Sequence, residues 1–168
     1  MAYPLLVYLG LPFLPPSILV IVALSLLALR LLAARGVVHD RWLRPLLVAA
    51  VILVALAVID SRAAVKAYPV LLSLAAACVF GASLIWPPTV VERLARLTEP
   101  DLSPEGVTYT RTVTHIWAVF LCGNAAVAAA IGLWGSLAQW TLWNGLVSYL
   151  LMGTLFIGEM LVRRFLRR

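Results

Sequence analysis

Few side chains in this chain could do chemistry, and many of them fall between residues 99 and 115. Glu99, Asp101 and Glu105 precede Tyr109, Arg111 and His115, the last two standing four residues apart. A carboxylate within reach of an imidazole makes an acid/base pair, and an arginine beside them makes an anion site. If the chain were an enzyme, His115 with Glu99 or Asp101 would be the catalytic group. The same residues would serve equally well as a solvated membrane mouth touching lipid headgroups.

A second set is polar but embedded in apolar sequence. Asn144, Ser148 and Glu159 fall at about 0°, 40° and 60° around one helix at 100° per residue. Together with Asn124 they could line a polar pathway, or bind a partner helix. The plainer reading pairs Glu159 with Arg163 at i+4 and has Asn124 hydrogen-bond to a neighbouring helix for about 1 kcal/mol. Gly123, Ala125, Ala126 and Ala128 to Ala130 would let helices approach closely there. Cys78 and Cys122 both lie in apolar runs and read as small packing residues, with no metal or disulfide pattern. No dinucleotide, P-loop, zinc-protease or serine-hydrolase motif is present, and nothing implies a cofactor.

The elements that must position these groups follow from composition. Hydrophobic residues make up 64% of the 168 residues and charged ones 12%, against roughly 45–50% and about 25% in soluble domains. The mean hydropathy is +1.04. A fold of this size cannot hide so much apolar surface, which excludes a soluble enzyme, an extracellular disulfide scaffold and a disordered tail. The expectation is a single all-α integral membrane domain over residues 1–168. Five spans are predicted at about 17–34, 43–59, 69–86, 114–134 and 141–162, each near the 20 residues that cross a bilayer. Residues 2–14 form a shorter apolar stretch of about 20 Å as a helix, either a sixth span or re-entrant. The first four residues carry no basic region beyond the α-amine and no clean cleavage site follows, so this segment is expected to stay attached.

The net charge of +6 would point to nucleic acid in a soluble protein, but here the arginines cluster at the ends of apolar runs and read as topology signals and lipid contacts. With the C-terminus cytoplasmic and five spans, eleven of the thirteen Lys and Arg residues fall inside; Arg62 and Lys66 fall outside. That bias predicts a cytoplasmic C-terminus. Arg30 lies close enough to its span end to snorkel. Trp86, Trp117, Trp134, Trp140, Trp143 and Tyr68 lie near span ends, as an aromatic belt would. In the 87–113 loop, residues 89–97 place Val90, Val91, Leu94 and Leu97 on one helical face and Glu92, Arg93 and Arg96 on the other, the pattern of a surface amphipathic helix. Two prolines and a glycine between Glu99 and Gly106 then break it, and Thr114 could cap the next helix. No internal repeat supports an inverted-repeat transporter.

Several motifs carry a resemblance. Val91-Glu-Arg-Leu-Ala-Arg-Leu97, Glu99-Pro-Asp-Leu102, Tyr109-Thr-Arg111, Val113-Thr114, Trp117, Asn124, Trp143-Asn-Gly145, Ser148-Tyr-Leu-Leu-Met-Gly153 and Glu159, with Tyr3-Pro-Leu-Leu-Val-Tyr-Leu-Gly10, resemble small bacterial inner-membrane proteins encoded in aryl polyene and related fatty-acid-like biosynthetic clusters. The match covers the C-terminal half well, the N-terminus briefly and the middle by hydropathy only. Trp117-Ala-Val-Phe120 followed by Asn124 is more distantly similar to the intracellular septation protein A family. The resemblance implies a setting more than a chemistry: a non-enzymatic accessory or scaffold for envelope-lipid or aryl-polyene-like synthesis, docking cytoplasmic acyl-carrier or acyltransferase components. Arg93, Arg96, Glu99, Asp101, Tyr109, Arg111 and His115 would form the docking face, because carrier proteins are acidic and this face is arginine-rich. The alternatives are a lipid or small-molecule carrier or flippase using the polar pathway, and a membrane acyl- or glycosyl-transfer enzyme using His115. The small-residue surfaces would also allow a homo-oligomer.

Overall fold

The computed structural model describes residues 7–9, 15–34 and 40–166. Among them there is no strand. The helices are α1 (Pro16–Ala34), α2 (Asp40–Ile59), α3 (Ser61–Ile85), α4 (Val90–Arg96), α5 (Pro104–Trp134), α6 (Leu137–Leu142) and α7 (Ser148–Leu166), the last two joined without interruption by a π turn, Trp143–Val147. Three runs are long and apolar enough to cross a membrane: α3, α5 and the continuous stretch Leu137–Arg164. α1 and α2 carry shorter apolar stretches among the described residues, Ser17–Leu26 and Arg44–Ile59. The 2–14 stretch lies mostly outside the described residues; residues 7–9 are helical and Val7 is buried in the core.

Antiparallel succession gives the bundle two ends. One carries the tight α2–α3 turn at Asp60 and the α5–α6 turn at Gly135; the other carries α4, the start of α5 and the end of α7. The main hydrophobic core sits toward the first end, where Leu19, Val20 and Ala23 of α1, Leu53 of α2, Ala64, Val65 and Tyr68 of α3, and Trp140 of α6 pack together. α3 is the central helix, packed against α2 on one side and α5 on the other. In the Leu137–Arg164 run the buried residues are confined to its first half, Trp140, Thr141, Asn144 and Ser148, and Leu150, Leu151, Phe156, Ile157, Met160 and Leu161 all face outward. So much exposed apolar surface on one helix belongs against lipid rather than water.

The caps explain where helices begin, and they correct several expected boundaries. Asp60 caps α3 by accepting from the backbone N–H groups of Arg62 and Ala63 at 2.8 and 3.2 Å. α3 therefore starts eight residues before the expected span, and Pro69 lies inside it rather than at its first turn. Ser103 caps α5 by accepting from Gly106 N–H at 3.2 Å, with Pro104 at the first helical position. The pattern Ser-Pro-Glu is a start signal, not a break. Thr114 consequently caps nothing: it is buried in mid-helix and its hydroxyl donates to the Thr110 carbonyl at 2.7 Å. Gly135 ends α5 in extended backbone, where a Cβ would stand 2.6 Å from the Ile131 carbonyl oxygen.

The aromatic belt also needs correcting. Trp86 and Trp134 are exposed, but Trp140 is 0% exposed and Tyr68 is buried. The Trp140 indole N–H donates to the Lys66 carbonyl at 3.3 Å. That carbonyl belongs to the central helix, so the indole reaches across from α6 to α3. Trp117 stacks at a tilt on Phe80 and edge-on to Phe120, linking α3 and α5.

Candidate functional site

The segment before α5 folds as a compact capped unit. Thr89 and Glu92 form a capping box at the start of α4: Glu92 N–H donates to Thr89 Oγ1 at 3.2 Å, and Thr89 N–H donates to Glu92 Oε2 at 3.4 Å. Ser83 Oγ, fully buried near the end of α3, accepts from Val90 N–H at 3.2 Å and fastens α4 to α3. Arg96 then binds Glu92 Oε1 through Nε at 3.0 Å and Nη2 at 2.9 Å, and donates from Nη1 to the Pro100 carbonyl at 2.9 Å.

This arrangement reverses the expected orientation of α4. Glu92 is 6% exposed and turned into the protein with Ala95, while Leu94 and Leu97 are open. The capping box explains the inversion, because it points the Glu92 carboxylate back at the helix start, where the helix dipole and the Arg96 guanidinium stabilise it. Of the expected docking residues, Arg96 is thus committed to an internal contact and Arg93 is half-buried.

Beyond Pro100 the chain enters a cleft of about 290 Å³ lined by Glu99, Leu102, Ser103, Glu105, Gly106, Tyr109, Thr110 and Arg163. The first turns of α5 meet the last turns of α7 here. Tyr109 Oη donates to the Glu159 carbonyl at 3.4 Å, across 50 residues of sequence. Arg163 faces the carboxylate-bearing wall of the cleft, and no ion pair joins it to Glu159 among the described contacts, contrary to the i+4 pairing expected. Gly106 lets Leu102 seat against α5: a Cβ there would meet Leu102 Cδ1 at 2.9 Å. The Ser103 and Thr110 hydroxyls are both engaged by backbone, Ser103 as the cap and Thr110 by donating to the Val107 carbonyl at 2.8 Å. The charged and phenolic groups lining the cleft are two carboxylates, a guanidinium and the Tyr109 phenol. They can recognise charge, but they hold no imidazole.

His115 does not join them. It stands about 240° around α5 from Tyr109, and Arg111 about 200°; both are exposed. Asp101 is exposed outside the cleft. The acid/base set of His115 with Glu99 or Asp101 is therefore not gathered at the cleft: Glu99 lines it, while Asp101 and His115 do not. The expected docking face divides likewise, with Glu99 and Tyr109 in the cleft and Arg111 and His115 behind it.

The polar stripe is also internally committed. Asn124 Nδ2 donates to Ser73 Oγ at 2.9 Å across the α3–α5 interface, and its Oδ1 has no protein partner. Asn144 Nδ2 donates to the Trp140 carbonyl of its own helix at 2.9 Å. Asn144 and Ser148 are buried, while Glu159 is half-buried at the α4 end. Among the described residues no hydrogen bond links Asn124, Asn144, Ser148 and Glu159 into one path. Spacing singled out Arg163 as an ion-pair partner of Glu159 and not as a cleft residue, and it did not single out Ser73. The signal for both lay in antiparallel succession, which brings residues 104–110 level with 159–163 and Ser73 level with Asn124.

No family model, no curated protein and no solved structure matches the chain.

Proposed function

We propose that the chain is a five-span protein of the bacterial inner membrane, crossing by α1, α2, α3, α5 and the α6–α7 run, with a cytoplasmic C-terminus. In this reading it is a non-enzymatic accessory of envelope-lipid or aryl-polyene-like synthesis that docks an acidic, acyl-carrying partner protein. One observation carries it: the α4 end of the bundle carries the exposed guanidinium groups of Arg44, Arg111 and Arg164. At the other end Lys66 spends its ammonium on the Gly132 carbonyl at 3.3 Å. The charge asymmetry supports both the orientation and an acidic partner.

Exposed and uncommitted arginines make better docking groups than Arg93 or Arg96. The test is capture of a purified acyl-carrier protein, loaded with a fatty acyl chain, by the full chain in lipid nanodiscs. Arg111→Glu with Arg164→Glu weakens capture by about tenfold, equivalent to about 1.4 kcal/mol, while insertion is unchanged. Unchanged capture overturns the reading. Arg96→Glu is unsuitable, because it would place two carboxylates together at Glu92.

A further inference from the structure

A groove of about 600 Å³ runs between α2 and α3 toward the α4 end. Its floor is made by short side chains, Ala49, Ala75, Cys78 and Ala82, and its sides by Val48, Ile52, Leu71 and Leu74. Along α3 it extends from Leu71 to Trp86, about 22 Å at 1.5 Å per residue. Arg44 and the half-exposed Trp86 stand together at its end, where the bundle meets the α4 surface. Arg44 is exposed and, among the described residues, is the one charged residue lining the groove.

We propose that this groove holds one acyl chain of an anionic bilayer phospholipid, with the phosphate-bearing head group on Arg44. The shape follows from the small residues, which leave a channel where larger ones would close the α2–α3 interface. The tails of a bilayer are as apolar as this lining, so the groove selects for shape and not for chemical class. The preference for negative charge comes from the exposed Arg44 guanidinium at headgroup level, worth about 1 kcal/mol or about fivefold in occupancy. Trp86 beside it is an interfacial aromatic that fits the same depth. The inference rests on the membrane-crossing part of the proposed function and is independent of the docking part.

The experiment is native mass spectrometry of the full chain in detergent, offered equal amounts of phosphatidylglycerol and phosphatidylcholine with identical acyl chains. The expected result is one retained lipid, with phosphatidylglycerol favoured by about fivefold. Arg44→Gln, at an exposed position, brings the two lipids to parity. Ala82→Phe fills the groove and abolishes retention of both; Val48→Trp, on the open side, is the second blocking variant if Ala82→Phe does not fold. Arg111→Glu with Arg164→Glu leaves retention unchanged, so failure of partner docking does not mimic failure here. An unaltered preference in Arg44→Gln, undiminished retention in the folded blocking variant, or no preference in the wild type overturns the proposal.

Discussion

The indole of Trp140 and the main-chain carbonyl of Lys66, 74 residues apart, form the contact that ties the start of the last span to the central helix. The ring is wholly buried in the core, and its one donor reaches the Lys66 carbonyl on α3. Trp140→Phe keeps most of the packing but loses the hydrogen bond, so it costs about 1 kcal/mol. Trp140→Ala also opens a cavity and costs about 3–5 kcal/mol. Unfolding of the purified protein in mild detergent measures both, and an undiminished stability of Trp140→Phe would show that the hydrogen bond contributes nothing.

Asn124 and Ser73 make the corresponding contact deeper in the α3–α5 interface. Helix–helix hydrogen bonds in membranes are worth about 0.6 kcal/mol on average and rarely more than about 1.7. Asn124→Ala and Ser73→Ala are each expected to destabilise by about 1 kcal/mol, and the double variant by less than the sum. Strict additivity in the double-mutant cycle would mean that the two side chains do not interact.

At α4 the burial of Glu92 sets an order of effects. Glu92→Ala removes the capping box and leaves Arg96 facing a site built for a carboxylate. Arg96→Ala leaves Glu92 its backbone partner at Thr89. Thr89→Ala loses the cap and costs about 1 kcal/mol. Proteolysis of the 97–103 turn in vesicles reads the loosening of α4, with Glu92→Ala cut faster than Arg96→Ala. The reverse order would contradict the buried position of the carboxylate.

Orientation has its own test. In a background with Cys78→Ser and Cys122→Ser, cysteines placed at Arg111 and at Arg62 label with a membrane-impermeant maleimide from opposite sides. The α4-end position is protected in intact cells and reactive in inverted vesicles. Labelling of both from one side removes the assigned topology.

Much of the fold was legible in residue types. The helical, membrane-bound character follows from composition, since 64% apolar residues have nowhere else to go. The Glu92–Arg96 pair follows from spacing, and the existence of α4 from its periodicity. Boundaries were less legible, because apolar length marks the lipid-facing part of a helix and not its caps. Asp60 and Ser103 start α3 and α5 well outside the apolar runs, and a hydrophobicity window does not register a serine followed by proline.

Tertiary structure decided the rest. Helical periodicity assigns a residue to a face but leaves open what that face meets. Glu92 turned inward because its capping box could be satisfied there; Trp140 and Tyr68 left the interface because the core shared by α1, α2, α3 and α6 received them. Arg163 left its i+4 partner for a cleft formed by the antiparallel return of α5 beside α7. His115 and Glu99, close in sequence, separated because α5 began ten residues early, which put His115 about three turns along it and about 240° around from the cleft-lining Tyr109. Local sequence determines which groups are available and at what depth; only packing between distant segments determines which of them share a site.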